Sequence, residues 1–171
     1  MTDGNASISS AENIAEPDLP PLNLPAVSLK LQRDGDILKV YDPLRDRFVA
    51  LTPEEYVRRH FTEWLMKNKH YPKSLIANEL SLTIGGERRR CDTVAFSPEG
   101  EPLLIVEYKA PTVQITQTVF DQIARYNMNL RSRYLAVSNG FNHYCCAMDY
   151  DSGSYHFIRE IPDYRLLIPI K

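Results

Sequence analysis

The sequence predicts an α/β fold built on a mixed β-sheet flanked by helices, and three observations lead to it. Two stretches, Thr52 to about Asn68 and Thr116 to about Leu130, carry helical spacing of apolar residues, and the first opens with a strong start signal. Short alternating or apolar runs bounded by turn residues lie before, between and after them. The apolar run "LLIVEYK" is joined to "RYLAVSN" by the second helix, and a strand, a helix and a strand in that order imply a crossover to a parallel neighbour. The other strand connections are short and make antiparallel pairs, so the sheet is mixed.

At 171 residues the chain suits one domain with a tail. Residues 1–25, rich in Ser, Asn, Asp, Glu and Pro without periodicity, are expected to be a disordered N-terminal tail, leaving residues 26–171 as the domain. From Val27, "VSLKLQ", the turn "RDGD", "ILKVY" and "RFVAL" predict a small N-terminal β-hairpin region. Thr52-Pro53-Glu54-Glu55 supplies an N-cap, a proline at the first helical position and acids in the first turn; Val57, Phe61, Trp64 and Leu65 form the buried stripe. Leu80, Leu82 and Ile84 alternate in the next strand, Gly85-Gly86 offers a tight turn, and "CDTVAF" leads through "SPEGEP" into "LLIVEYK". Val119, Ile123 and Leu130 mark the apolar stripe of the second helix. "HYCCAMDY" and "YHFIREI" form a C-terminal hairpin around Asp151-Ser152-Gly153.

Composition narrows the function. With 43% hydrophobic and 25% charged residues and no apolar run near the roughly 18 residues needed to span a bilayer, membrane insertion is not expected. No secretory signal opens the chain, and Cys91, Cys145 and Cys146 are odd in number without metal-type spacing, so a reduced, cytoplasmic protein is expected. A net charge of −2 excludes a general polycation that coats nucleic acid. Candidate local basic patches are Glu87-Arg88-Arg89-Arg90 and Arg125, Arg131 and Arg133, which read first as solvated faces. His60, His70, His143 and His156 have no metal-ligand spacing and read as surface or structural residues. Cys145 and Cys146, neighbours in one strand, point to opposite faces and read as packing.

The chemistry gathers around "VEYKAP". Glu107 and Lys109 lie two residues apart at the end of an apolar strand, on one face with Leu103 and Ile105 and roughly 7 Å apart. If Phe96 pairs with Leu103 across the loop, counting inward sets Asp92 opposite Glu107, on the face of Val94 and Phe96. Directly opposed side chains have Cβ atoms about 5 Å apart, and like charges there are destabilising. Lys109 can neutralise one charge; a divalent cation held by both carboxylates and a backbone carbonyl explains the arrangement better, because Mg²⁺ takes oxygen ligands and commonly one or two carboxylates.

An Asp followed fifteen residues later by Glu-x-Lys, here Asp92 and Glu107-Tyr108-Lys109, resembles the active site of the PD-(D/E)XK nuclease superfamily. In the second helix Gln122-Ile123-Ala124-Arg125-Tyr126 is a Gln-x-x-x-Tyr, whose spacing of four puts Gln122 and Tyr126 on one face. That motif, with "TPEEYVRRHF", "YPKSLIANEL", "RRRCDTVAF", "LLIVEYKAP", "FDQIARYN" and "YLAVSNG" in this order, resembles the N-terminal nuclease domain of type I restriction enzyme R subunits over residues 40–160.

The resemblance implies a restriction-endonuclease-like fold with an αβββαβ core, and a Mg²⁺- or Mn²⁺-dependent DNA endonuclease, stand-alone or as the nuclease subunit of a restriction or defence system. A non-catalytic DNA-binding or regulatory module on the same fold is the alternative. By the resemblance Asp92 and Glu107 hold the metal with the Tyr108 carbonyl, and Lys109 orients or helps deprotonate the attacking water. Gln122, Tyr126 and Arg90 position DNA. The first helix supplies a further acid, for which helical spacing favours Glu54 over Glu55. Two features depart from the pattern: Cys91 stands where the motif's namesake has proline, and no helicase motor follows, so ATP-driven translocation is not expected of this chain; DNA is the expected partner, with a motor or methyltransferase subunit as a further candidate.

Overall fold

The computed structural model describes residues 18–84 and 86–168, with the side chains of Ile84, Glu87, Arg89, Tyr126 and Asn129 outside that description. Strands β1 (Leu31–Asp34), β2 (Ile37–Asp42) and β3 (Arg47–Ala50) form a small antiparallel sheet from the three extended segments expected, with β1 starting at Leu31 and running into the expected turn. Helix α1 (Pro53–Asn68) starts where the sequence placed it: the Thr52 hydroxyl accepts the Glu55 N–H at 3.1 Å, and Pro53 occupies the first turn, where no N–H is needed.

The main sheet follows as β4 (Ile76–Ile84), β5 (Glu87–Phe96) and β6 (Pro102–Tyr108). Gly85 of the expected turn between β4 and β5 lies outside the described residues. Helix α2 (Gln117–Asn127), capped by the Thr116 hydroxyl, carries the chain to β7 (Tyr134–Ser138), and the hairpin β8 (His143–Asp149) and β9 (Ser154–Ile158) completes a sheet ordered β4-β5-β6-β7-β8-β9. Among the described residues only β6 and β7 pair in parallel. The α1-β4-β5-β6-α2-β7 order is the expected αβββαβ core, mixed for the reason given above: α2 is a crossover. A short helix α3 (Tyr164–Leu167), which the sequence did not announce, is the last described element.

Each face of the sheet buries one apolar layer. Val57, Phe61 and Leu65 of α1 pack with Leu104, Val106, Tyr108, Ala136 and Cys145, joined by Ile161, Tyr164 and Leu167 near the C-terminus. On the other face Phe120, Ala124 and Leu130 pack with Val94, Ile105, Leu135, Val137 and Cys146. The adjacent cysteines thus serve opposite layers, as strand alternation requires. Trp64, partly buried, sits edge-on to Phe61 at 5.3 Å.

Helix α1 is enclosed beyond its apolar stripe: Glu55, Arg58, Arg59, His60 and Thr62 are also buried. The small sheet and the segment before it cover this second face. Residues 18–25, placed by composition in the tail, lie against the domain: the Tyr56 hydroxyl donates to the Pro20 carbonyl at 3.1 Å, and the Asn23 N–H donates to the Gly140 carbonyl at 2.8 Å. Leu22 and Leu24 pack on the core. These two leucines anchor it despite the polar surroundings. The rest of the expected tail, residues 1–17, lies outside the described residues.

Two departures from regular pairing shape the sheet near the polar end of β6. Phe96 pairs with Pro102 and not with Leu103, because the register shifts between Ala95 and Phe96. From there the pairs run Ala95↔Leu104, Val94↔Ile105 and Thr93↔Val106, where the backbone pairing ends; Asp92 comes close to Glu107, without the directly opposed pair expected. Leu103 consequently packs in the α1 layer while Ile105 packs in the α2 layer, and the two do not share the face expected of them. Alternation also breaks at Asp92: Cys91 and Val94 both lie in the α2 layer, while Asp92 reaches Arg58 of α1, so Asp92 does not share the face of Val94. Opposite it, between the pairs Asn78↔Thr93 and Leu80↔Cys91, Glu79 adopts a left-handed φ of +56°.

Gly140 has φ +87°, and a Cβ there would meet Leu22 Cδ2 at 2.6 Å. Gly140→Ala is expected to lower stability by about 1–2 kcal/mol, through the strained φ and the displaced leucine. Urea unfolding measures the loss, and proteolytic nicking within residues 18–25 should accelerate with it.

Candidate active site

The end of β6 is fixed from both sides. Toward β7 the Lys109 N–H donates to the Ser138 carbonyl at 2.9 Å, and toward β5 the Tyr108 N–H donates to Asp92 Oδ2 at 2.9 Å. Asp92 thereby closes the ladder with its side chain where the backbone pairing with β6 stops. Its other oxygen, Oδ1, accepts from Arg58 Nη2 at 3.2 Å. The Tyr108 side chain points into the α1 layer, where its hydroxyl donates to Thr93 Oγ1 at 3.0 Å and its ring meets Phe61 edge-on. Burial raises the Tyr108 phenol, so its side chain is structural and neutral.

Glu107 is the strained member. Its carboxyl is pushed up to about 8, first by burial and then by the Asp92 charge and a hydrogen bond shared with Asp92; Lys109 and the Asn127 amide act in the opposite direction. Among the described residues its buried Oε1 has no hydrogen-bond partner. Lys109, partly buried, has no ion-pair or hydrogen-bond partner for its ammonium among the described residues. Asp92, Glu107 and Lys109 are therefore brought together, as their spacing implied.

The remaining expected residues divide. Glu54 is exposed, while Glu55 is 5% exposed and joined through Arg58 to Asp92; the acid of the first helix that faces the site is Glu55. Spacing from Val57 and Phe61 favoured Glu54 because it assumed a single buried stripe, and the helix is buried on a second face. Arg90 is exposed and pairs with Glu79. Gln122 is exposed on α2; the side chain of Tyr126 lies outside the described residues.

Four residues at the site were not singled out from the sequence as its members or were passed over there: Glu55, Arg58, Glu79 and Asn127. Asn127 is 2% exposed, donates to the Ile123 carbonyl at 2.9 Å and lies beside Glu107. Arg58 follows Glu55 by one helical turn, a spacing that announces an ion pair on a helix. No signal could have found Glu79, whose direction depends on its left-handed backbone.

A buried, unpartnered carboxylate oxygen beside a second carboxylate suits an added cation. Among the described residues no three His, Cys, Asp or Glu side chains form a ready-made metal cage. Two carboxylates nevertheless match Mg²⁺, which keeps several waters and is completed by substrate phosphate. Asp92 and Glu107 fit such an ion on these grounds.

Without a cation, Glu107 weighs on the fold. A carboxyl whose folded pKa stands above its unfolded value, about 4.3, contributes stability that is complete below the unfolded value and lost as pH rises through about 8. Glu107→Gln removes that loss. In the presence of chelator the variant is expected to exceed wild type in stability by on the order of 1–3 kcal/mol at pH 7.5. The gap should close toward pH 5, as read by urea unfolding across that range.

Residues 53–162, more than half of the chain, match the family described as type I restriction enzyme R protein N terminus. No curated protein matches. Among solved structures, the chain is similar to a fragment of an HsdR subunit of a type I restriction enzyme from Vibrio vulnificus YJ016, with 21% identity over 66% of this chain and a TM-score of 0.47. It spans 24% of that chain. By the family match, this chain belongs to the type I restriction enzyme R protein N-terminal family.

Proposed function

We propose that the domain is a metal-dependent endonuclease that hydrolyses DNA phosphodiesters, working as the nuclease part of a restriction or defence system. The observation that carries this reading is the buried, unpartnered Glu107 oxygen beside Asp92, with the unpaired Lys109 two residues on along the same strand. Asp92, Glu107 and the Tyr108 carbonyl would hold Mg²⁺ or Mn²⁺. When bound, the ion supplies charge stabilisation for the phosphate oxygens during in-line displacement.

The chain's own groups do the rest. Lys109, on the face of Glu107, orients the attacking water and helps draw off its proton as the new phosphorus–oxygen bond forms and the bond to the leaving oxygen breaks. Asn127 and Lys109 favour the charged form of Glu107 against burial, which keeps it available as a ligand. Gln122, Arg90 and Tyr126 position the DNA backbone. With a net charge of −2, the domain gains little phosphate affinity from bulk charge, which favours a motor or methyltransferase subunit as the partner that brings DNA.

A second reading, a regulatory or DNA-binding module that keeps the fold without cutting, draws on Asp92: both of its oxygens already have partners within the protein.

Plasmid and single-stranded DNA incubated with Mg²⁺ or Mn²⁺ separate these readings. The wild-type chain is expected to nick or cut, and Asp92→Ala or Lys109→Ala to lower the rate by at least about 100-fold. Metal-dependent nicking that persists in both variants would sink the site assignment. Cation binding that depends on Glu107, without cleavage of any nucleic acid, would favour the regulatory module.

Because Glu107 must lose a proton to bind a cation, affinity should rise on the order of tenfold per pH unit up to about pH 8 and then level off. Calorimetric titration of Mn²⁺ in buffers of different ionisation enthalpy counts the released proton.

A further inference from the structure

A buried polar network lies beneath Asp92 and Glu107, on the α1 side of the sheet. Arg58, 4% exposed, sits at its centre. Its Nη1 donates to Glu55 Oε2 at 2.7 Å, and its Nη2 faces Glu79 Oε1 at 2.7 Å and Asp92 Oδ1 at 3.2 Å. The guanidinium carbon stands 5.5 Å from the centre of the Tyr108 ring. One cation thus joins carboxylates from α1, β4 and β5.

Arg58 is itself held. The other oxygen of Glu55 pairs with Arg45, and Arg45 also pairs with Asp42 at the end of β2. Asp42, fully buried, accepts from Asn78 Nδ2 at 3.0 Å; Asn78 Oδ1 accepts from the Thr93 hydroxyl at 2.7 Å; and Thr93 accepts from the Tyr108 hydroxyl. Burial raises the Asp42 carboxyl, but the hydrogen bonds from Asn78, Arg45 and Leu44 outweigh it and hold the group below its usual range, ionised. The chain of contacts leaves the site at Asp92, crosses α1 to the small sheet and returns through β4 and β5 to Tyr108.

Burying ions in this way is a poor source of stability, since desolvation offsets most of the attraction. What it provides is geometry. An arginine fork has fixed donor directions, and a lysine of equal charge does not. We infer that Arg58 is a positioning residue that fixes the Asp92 carboxylate for cation binding, and that the small N-terminal sheet, through Asp42, Arg45 and Glu55, fixes Arg58. This inference rests on the proposed role of Asp92 as a cation ligand.

Position and charge make opposite demands. If Arg58 acts only by its charge, Arg58→Lys should bind Mn²⁺ as wild type does, and Arg58→Gln should bind it more tightly because a nearby positive charge is gone. If it positions Asp92, both variants should lose about tenfold or more in Mn²⁺ affinity, the range for residues that orient a ligand. Arg45→Gln, removed from Asp92 by two side chains, should shift affinity in the same direction by a smaller factor.

The experiment uses the full chain and two readouts. Mn²⁺ binding is titrated calorimetrically, and hydrogen exchange of the Tyr108 amide, which donates to Asp92, is followed by NMR in chelator. Arg58→Lys should speed exchange at Tyr108 relative to other β6 amides as it weakens Mn²⁺ binding. Wild-type affinity in Arg58→Lys, with wild type itself binding, overturns the positioning role and leaves the nuclease reading intact. A wild-type chain that binds no Mn²⁺ overturns both. Should Arg58→Lys fail to fold, Arg45→Gln decides: unchanged affinity and unchanged Tyr108 exchange overturn the inference.

Discussion

Two carboxylates, Asp92 and Glu107, are forced together at the polar end of a buried strand, and much of the surrounding structure compensates for their repulsion. Each has its own remedy. Asp92 is held as an acceptor by the Tyr108 N–H and by Arg58. Glu107 receives weaker help from Lys109 and Asn127, which does not offset its burial and the Asp92 charge. The imbalance leaves one satisfied carboxylate and one held well above the usual carboxylate range by burial and its neighbour's charge.

That constraint explains features which look unrelated. The break in alternation at Asp92 turns its carboxylate toward α1 and Arg58, while Glu107 keeps to the α2 side near Asn127. The left-handed backbone of Glu79, opposite the break, accompanies a third carboxylate directed at the same guanidinium. Helix α1 then needs one apolar face for the sheet and a second, polar face for the network. The small sheet and residues 18–25 close over that second face, which gives the N-terminal part of the chain a reason to be attached to the domain.

Much of this was legible in the sequence. The start of α1 was written in Thr52-Pro53, the αβββαβ order in the alternation of helical and extended patterns, and the nearness of Asp92 to Glu107 in a count along two strands. These features are local, or depend on short connections whose geometry is narrow. The choice between Glu54 and Glu55 was less legible. Helical spacing identifies the residues that follow the apolar stripe, and Glu55 is buried by a second contact, with Arg45 and Arg58, that spacing does not reveal. Residues 18–25 read as tail for a similar reason: Leu22 and Leu24 are too few to stand out from a polar segment, yet suffice to anchor it once α1 and the turn at Gly140 present a surface.

By itself the sequence determined the main strands and the two long helices, and that Glu107 and Lys109 stand at the end of a buried strand with Asp92 on the strand before it, because the period of a strand and the length of a hairpin leave little freedom. Only the tertiary structure decided how those residues are charged and held. The pKa of Glu107 depends on burial and on a neighbour from another strand, and the direction of Asp92 depends on an arginine from a helix 34 residues earlier. Electrostatics in a low-dielectric interior are set by distances between groups far apart along the chain, and those distances exist only after the layers have packed.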